Sequence, residues 1–232
     1  MSNSTILITG ANRGIGMELT RQFTEDGWQV LACCRSPADA KSLQALATEY
    51  PTVEIFPLDV TDYDQLATLT LQLQDRSIDI MLSNAGIYGP REYSFGEVDV
   101  KEWRQVLEVN TIAPLMLAQA FVDQVAASRQ KLMAVISSKM GSIADNSSGG
   151  SYIYRTSKTA VNQVVKSIAN DVAGRGISAI SLHPGWVKTD MGGSNAEIDS
   201  IESVMGLKQV LMATGLKQSG NFFNFDGSEI PW

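Results

Sequence analysis

Short, uniformly apolar runs recur along the chain, and between them the apolar residues return every three or four positions. Thr5–Thr9 (Ile6, Leu7, Ile8), Trp28–Cys34, Val53–Leu58, Ile78–Leu82, Leu132–Ile136, Ile177–Leu182 and Phe222–Phe225 are too short for helices and read as buried strands. Residues 15–26, 38–49, 62–74, 99–128, 151–173 and 197–214 carry the helical period, as Leu66, Leu69 and Leu73 illustrate. Gly27 stops the first helix, and Pro114 predicts a kink in the long fourth one. Strands that are apolar throughout and alternate with helices dictate a parallel sheet covered on both faces. The expected fold is an α/β, doubly wound sheet of about seven mostly parallel strands with helices on both faces, one domain over residues 1–232.

Composition changes this picture little. A chain of 232 residues, 44% hydrophobic and 19% charged, can bury a full core without staples. A net charge of −7 argues against nucleic acid or an anionic membrane surface as partner. No uninterrupted apolar run approaches the roughly 20 residues that span a bilayer. Cys33 and Cys34 are adjacent and make no disulfide framework, and the start Met1-Ser2-Asn3-Ser4 is polar, so a reducing cytoplasm is the expected location. His183 is the only histidine; no cysteine or carboxylate cluster replaces it, so no metal site is expected and His183 reads as structural.

The candidate chemistry falls just after predicted strands, where a doubly wound sheet binds its ligands. Gly10-Ala11-Asn12-Arg13-Gly14-Ile15-Gly16 follows the first strand. Glycines there let the backbone approach a pyrophosphate, which the free N–H groups of the next helix hold, although the spacing is Gly-x-x-x-Gly-x-Gly rather than the commoner Gly-x-Gly-x-x-Gly. This makes the fold Rossmann-like. The second strand ends at Cys34-Arg35-Ser36 with no acid; Arg35 and Arg13 therefore point to a ribose 2′-phosphate, NADP(H) rather than NAD(H). Tyr154 and Lys158 lie four apart on a helix and share a face. A lysine ammonium beside a phenol pulls its pKa down from about 10. Ser138, at the end of the fifth strand, would bind the same substrate oxygen. Taken alone the Tyr–Lys pair also suits a plain surface helix; with the loops it makes a proton-donating site for a carbonyl.

Thr9-Gly10-Ala11-Asn12-Arg13-Gly14-Ile15-Gly16, Asn84-Ala85-Gly86, Asn110, Ser138, Tyr154-x-x-x-Lys158 and Pro184-Gly185, in this order, resemble the classical short-chain dehydrogenase/reductases (SDRs) from Thr5 to about Met191. Pro184–Met191 and the closing Asp226-Gly227-Ser228-Glu229-Ile230-Pro231-Trp232 are similar to the C-factor-like and sniffer-type carbonyl reductase branch. The resemblance implies NADPH-dependent, reversible reduction of a ketone or aldehyde to an alcohol by hydride transfer. Tyr154 would be the proton donor, Lys158 would lower its pKa and bind the nicotinamide ribose, and Ser138 would polarise the substrate oxygen. Asn110 would hold a water joined to Lys158, and Asp59 and Val60 would meet the adenine. Asn84, Ala85, Gly86, Pro184, Gly185 and Val187 would border the cofactor, and Thr189 would bind its carboxamide. A substrate loop at about 186–215 and a homodimer or homotetramer through helices 99–128 and 151–173 are also implied.

The stretch between Ser138 and Tyr154 is longer than in the commonest members, through the Asn146–Gly150 loop. Ser137 is an alternative serine, but Ser138 has Gly141 three residues on; Tyr152 has Thr156, not lysine, four beyond it. Trp186, Tyr88 and Phe95 are candidates to line an apolar pocket, and Met205 and Met212, with Leu207 and Leu211, to pack in the core or a lid. An NADP-binding sensor of C-factor type with little turnover is the alternative function; signalling relatives often lose a catalytic residue, and none is missing here. A carrier-protein reductase would want a basic mouth, whereas Gly192–Ser203 carries Glu197, Asp199 and Glu202.

Overall fold

A computed structural model describes residues 4–90 and 95–232, so the polar start Met1–Asn3 lies outside it. The alternation is β1 (Thr5–Thr9), α1 (Gly14–Glu25), β2 (Gln29–Cys34), α2 (Lys41–Glu49), β3 (Val53–Pro57), α3 (Tyr63–Gln72) and β4 (Ile80–Ser83) in the first half. It continues with α4 (Val100–Leu107), α5 (Ala113–Ala126), β5 (Leu132–Ile136), α6 (Tyr152–Val172), β6 (Ser178–His183), α7 (Ser200–Ala213) and β7 (Phe222–Asn224). The seven strands form one sheet in the order β3-β2-β1-β4-β5-β6-β7, and every pairing is parallel, where a mostly parallel sheet was expected.

Successive strand residues feed opposite layers, as the pleat requires. Ile6 and Ile8 of β1 pack with Leu19 and Phe23 of α1, Leu43 of α2 and Leu207 and Leu211 of α7. Leu7 joins Leu66 and Leu69 of α3, Phe121 of α5 and Val161 and Val165 of α6. Because β1 is buried by helices on both sides, its residues show no polar alternation, and the unbroken apolar run in the sequence has this cause.

The long fourth helix differs from expectation in an instructive way. Its irregularity is a π-turn at Glu108–Ile112, between α4 and α5, rather than a kink at Pro114. Pro114 sits in the first turn of α5, where a missing N–H removes no bond that must be made. The continuous stretch Val100–Ala126 contains an 18-residue window of mean hydropathy 1.2 and is long and apolar enough to cross a bilayer by length and composition alone. In the fold Val106, Leu117, Phe121 and Val125 of that stretch are buried in the domain core.

One polar clamp holds the amino edge of the sheet. Asp79, buried just before β4, accepts backbone N–H bonds from Thr5 (2.9 Å), Arg129 (3.2 Å) and Gln130 (3.3 Å). Asp79→Ala strands those donors, and urea denaturation is expected to show a loss of about 3 kcal/mol. A loss under about 0.5 kcal/mol would mean that the clamp carries no such share.

Candidate active site

The parallel sheet puts every strand's carboxyl end on one edge, and the order reverses between β1 and β4, which opens a crevice there. The glycine loop leaves β1 on one side of this crevice. Gly10 takes φ +66°, and a Cβ there would come within 3.0 Å of the Ala85 Cα. The Asn84 amide donates to the carbonyls of Thr9 (2.8 Å) and Gly10 (3.2 Å), and the Thr9 hydroxyl accepts from the N–H groups of Asn84 and Ala85 (3.0 Å each). The loops after β1 and β4 are thus fastened together. The first turn of α1 carries no capping side chain and no acid, so its N–H groups and positive dipole end stay available to an anion. These features fit a dinucleotide pyrophosphate. Asn12, Arg13 and Gly14 are exposed at the loop's rim, while Ile15 packs half-buried against the core.

Arg35, just past β2, is exposed and makes no ion pair among the described residues. Asp59 and Val60, past β3, are half-buried; the Asp59 carboxylate accepts from the N–H (3.0 Å) and hydroxyl (2.8 Å) of Thr61. Arg13 has a partner that sequence reasoning missed. Its guanidinium bonds Asp190 at 3.0 Å, an exposed pair linking the glycine loop to the segment after β6. In that segment Thr189 lies against Gly14, with its Cγ2 3.4 Å from where a Cβ would sit. Pro184 accepts a bond from the Ser203 hydroxyl (2.5 Å), Gly185 abuts Ile198 and Phe225, and Val187 is buried in a bridge with Ile198.

Across the crevice the structure brings Ser138, Tyr154, Lys158 and Asn110 together. Gly149, Gly150 and Ser151 all adopt the left-handed conformation, which turns the chain sharply into α6 and starts the helix at Tyr152. Tyr154 is buried, its phenol lies beside the Ser138 side chain, and Lys158 Nζ lies 5.8 Å from its ring centre. Ser137, the other candidate serine, instead directs its hydroxyl to the Lys158 carbonyl (3.4 Å). Tyr152 is exposed. Asn110 sits in the π-turn and bonds both the N–H (2.9 Å) and the carbonyl (2.8 Å) of Ile87, and the Ser157 hydroxyl (3.0 Å). Its side chain therefore anchors the loop after β4 to α6. A Cβ on Gly86 would lie 3.2 Å from Asn110 Oδ1 and 3.6 Å from Lys158 Nζ, which places all three in one corner.

The electrostatics correct one expectation. The Tyr154 phenol is not lowered but pushed up to about 12: burial dominates, the nearby Ser138 hydroxyl opposes it, and neighbouring Tyr88 adds to the rise. Lys158 is pulled down to about 8 by burial alone, and its Nζ donates to the Ile136 carbonyl at 2.8 Å. Desolvation of both groups outweighs their mutual attraction. At neutral pH the pair is therefore phenol and, in the main, ammonium, the protonated form a donor needs. Burial likewise holds His183 down to about 4, hence neutral, as a structural histidine would be.

Of the apolar candidates, Tyr88 stacks on Tyr154 with ring centres 4.3 Å apart and its hydroxyl 3.1 Å from Ser151 Oγ. Trp186 is half-exposed and donates to the Gly192 carbonyl (2.9 Å), while Phe95 is 89% exposed and, among the described residues, packs on the exposed Tyr152. Met205 and Met212 are exposed as well, each 52%, because α7 turns Val204, Leu207 and Leu211 to the core; neither methionine is core packing.

A Rossmann-like sheet with a glycine loop on one side of its switch point and a Ser–Tyr–Lys group on the other defines a nucleotide-dependent oxidoreductase class. The family model described as short chain dehydrogenase matches residues 4–199, and the chain belongs to that family, in its sniffer/C-factor-like branch. It is 36% identical to the C-signal protein of Myxococcus xanthus over 155 residues, 67% of this chain and 93% of that protein. The carbonyl reductase Sniffer of D. melanogaster superposes with a TM-score of 0.93 at 36% identity, and the NADPH-bound carbonyl reductase from chicken fatty liver with 0.93 at 33%, each over 100% of both chains.

Proposed function

We propose that this protein is an NADP(H)-dependent reductase of ketones or aldehydes, working in reverse as an alcohol dehydrogenase. The observation that carries the proposal is the gathering of Ser138, buried Tyr154 and Lys158, whose Nζ lies 5.8 Å from the phenol ring, opposite an uncapped glycine loop across the crevice. The solved NADPH-bound carbonyl reductase of the same fold supports it. Gly10, Gly14 and Gly16 admit the pyrophosphate, and Arg13 and Arg35 hold the 2′-phosphate. Asn12 and Ile15 complete that loop, Asp59 and Val60 lie toward the adenine, and Asn84, Ala85 and Gly86 form the floor. Pro184, Gly185, Val187 and Thr189 wall the nicotinamide end, with residues 186–215 forming the substrate loop. When bound, the cofactor supplies the hydride. Ser138 aligns the carbonyl oxygen, Tyr154 gives it a proton, and Lys158 holds positive charge beside the phenol as its proton leaves. Asn110 keeps Lys158 and the Gly86 corner in register. Pairing through α4, α5 and α6 into a homodimer or homotetramer belongs to the same proposal. The test is consumption of NADPH with a panel of ketones and aldehydes; no turnover with any of them would sink it.

The C-signal likeness favours a second reading, an NADP-binding sensor with little turnover. Under it, NADPH binds tightly in calorimetry while Tyr154→Phe leaves the cellular phenotype unchanged. The full Asn110, Ser138, Tyr154 and Lys158 set favours the enzyme.

Arg13 can meet a 2′-phosphate only by sharing or leaving Asp190, whose charge repels the phosphate. Asp190→Asn is expected to tighten NADP+ binding by about two- to fivefold at low salt, the range of an exposed ion pair, and to leave NAD+ binding unchanged. Equal effects on both cofactors, read by fluorescence titration, would refute the competition.

A further inference from the structure

The closing Asp226–Trp232 segment has no part in the site described so far, yet it reaches the Ser138 turn. Past β7 the chain folds back on itself: Gly227 takes φ +86°, the Ser228 N–H and hydroxyl donate to Asp226 (2.9 and 2.5 Å), and the Ile230 N–H donates to the Phe222 carbonyl (2.8 Å). Buried Ile230 anchors this return, and the Trp232 ring stacks on Phe222 with centres 5.7 Å apart. The next two carbonyls then point away from β7. The Pro231 carbonyl accepts the Ser142 hydroxyl at 2.5 Å, and the Trp232 carbonyl accepts the Ala144 N–H at 3.0 Å.

What those carbonyls hold is the outer half of the turn that carries Ser138. Its inner half is fixed by α6: Gly141 packs so tightly against the Lys158 backbone that a Cβ would come within 2.7 Å, and its carbonyl accepts the Thr159 hydroxyl at 2.9 Å. Ser138 itself accepts the Met140 N–H at 3.2 Å and lies beside the Tyr154 phenol. Ser142 Oγ both donates to Pro231 and accepts the Asp145 N–H (3.1 Å), so one hydroxyl joins the tail to the turn's exit. Beyond it, residues 143–150 are exposed.

We infer that the Ile230–Trp232 tail is a positioning element for catalysis, buttressing the Ser138 turn so that the serine hydroxyl stays aimed at the Tyr154 phenol. The inference rests on the reductase reading for its kinetic consequence. It assigns the tail a purpose in the site, through Pro231, which is 89 residues away from Ser142 along the chain. A displacement of about 1 Å in a group that orients the reacting oxygen costs up to about 100-fold in rate, whereas cofactor binding, on the far side of the crevice, is untouched.

The test compares the full chain with Ser142→Ala, Trp232→Ala, Trp232→Phe and removal of Pro231-Trp232, which spares the Ile230 anchor. Removal is expected to lower kcat by about 10- to 100-fold with NADPH Kd within about twofold. Ser142→Ala and Trp232→Ala lose less, and Trp232→Phe, which restores a ring against Phe222, recovers most of the rate. Amide exchange in residues 138–145 should quicken on removal while peptides from β1 and β4 stay protected. Unchanged exchange in 138–145, or faster exchange with unchanged kcat, overturns the inference. A wild-type chain that binds NADPH but reduces no carbonyl defeats the reductase reading separately, and the exchange data still decide whether the tail braces the turn.

Discussion

Tyr154→Phe is expected to lower carbonyl reduction by about 10³-fold, the scale of a lost general acid, while NADPH affinity changes by less than about twofold. Phenylalanine keeps the ring that stacks on Tyr88 and its burial, so the fold has no reason to respond. What disappears is the hydroxyl beside Ser138, the proposed proton source for the substrate oxygen. The pH dependence follows from the two shifted groups. The phenol, pushed up to about 12, stays protonated through the working range and sets no limb there. Lys158, pulled down to about 8, gives up its charge as pH rises through that value, so kcat/KM for reduction should fall above it. A variant that keeps a tenth or more of wild-type kcat, with the same alkaline limb, would show that Tyr154 is not the donor.

The parts of this site that are legible in sequence are those whose information is local. The strands announce themselves because two helical layers bury both faces of each, which leaves uninterrupted apolar runs such as Ile6–Ile8. The glycine loop is legible because Gly10 and Gly16 leave no room for a side chain, and Tyr154 with Lys158 because helical spacing alone aligns them. The direction of the Tyr154 shift was not. It depends on how much water reaches the phenol, and the 4.3 Å stack of Tyr88 that excludes it comes from a different loop. The π-turn was equally hidden. Pro114 marks an interruption, but only the buried Asn110, tied to Ile87 and Ser157, reveals where the helix widens. Arg13 illustrates the same limit for charges: its place in the glycine loop is plain from the sequence, yet its ion partner, Asp190, is 177 residues away.

Gly16→Ala is expected to remove cofactor binding almost wholly, a loss of about 100-fold or more, and to destabilise the fold by about 1–3 kcal/mol, the cost of overpacking. The cause is space rather than backbone conformation. A Cβ at Gly16 would collide with the Gly10 carbonyl and stand 2.5 Å from the Asn84 amide nitrogen. Gly10 and Asn84 are the residues that join the loops after β1 and β4, so neither can yield without opening the crevice. α1 would have to lift from the strand, which carries its uncapped first turn away from the pyrophosphate. Gly14→Ala makes the internal control. Gly14 takes φ +52°, and the nearest atom to an added Cβ is Thr189 Cγ2 at an ordinary 3.4 Å, so its cost is only the left-handed conformation, about 1 kcal/mol. NADPH titration and thermal melts of the two variants should therefore rank Gly16→Ala far below Gly14→Ala. Equal losses, or a Gly16→Ala protein that binds NADPH as wild type does, would mean that this loop does not cradle the pyrophosphate.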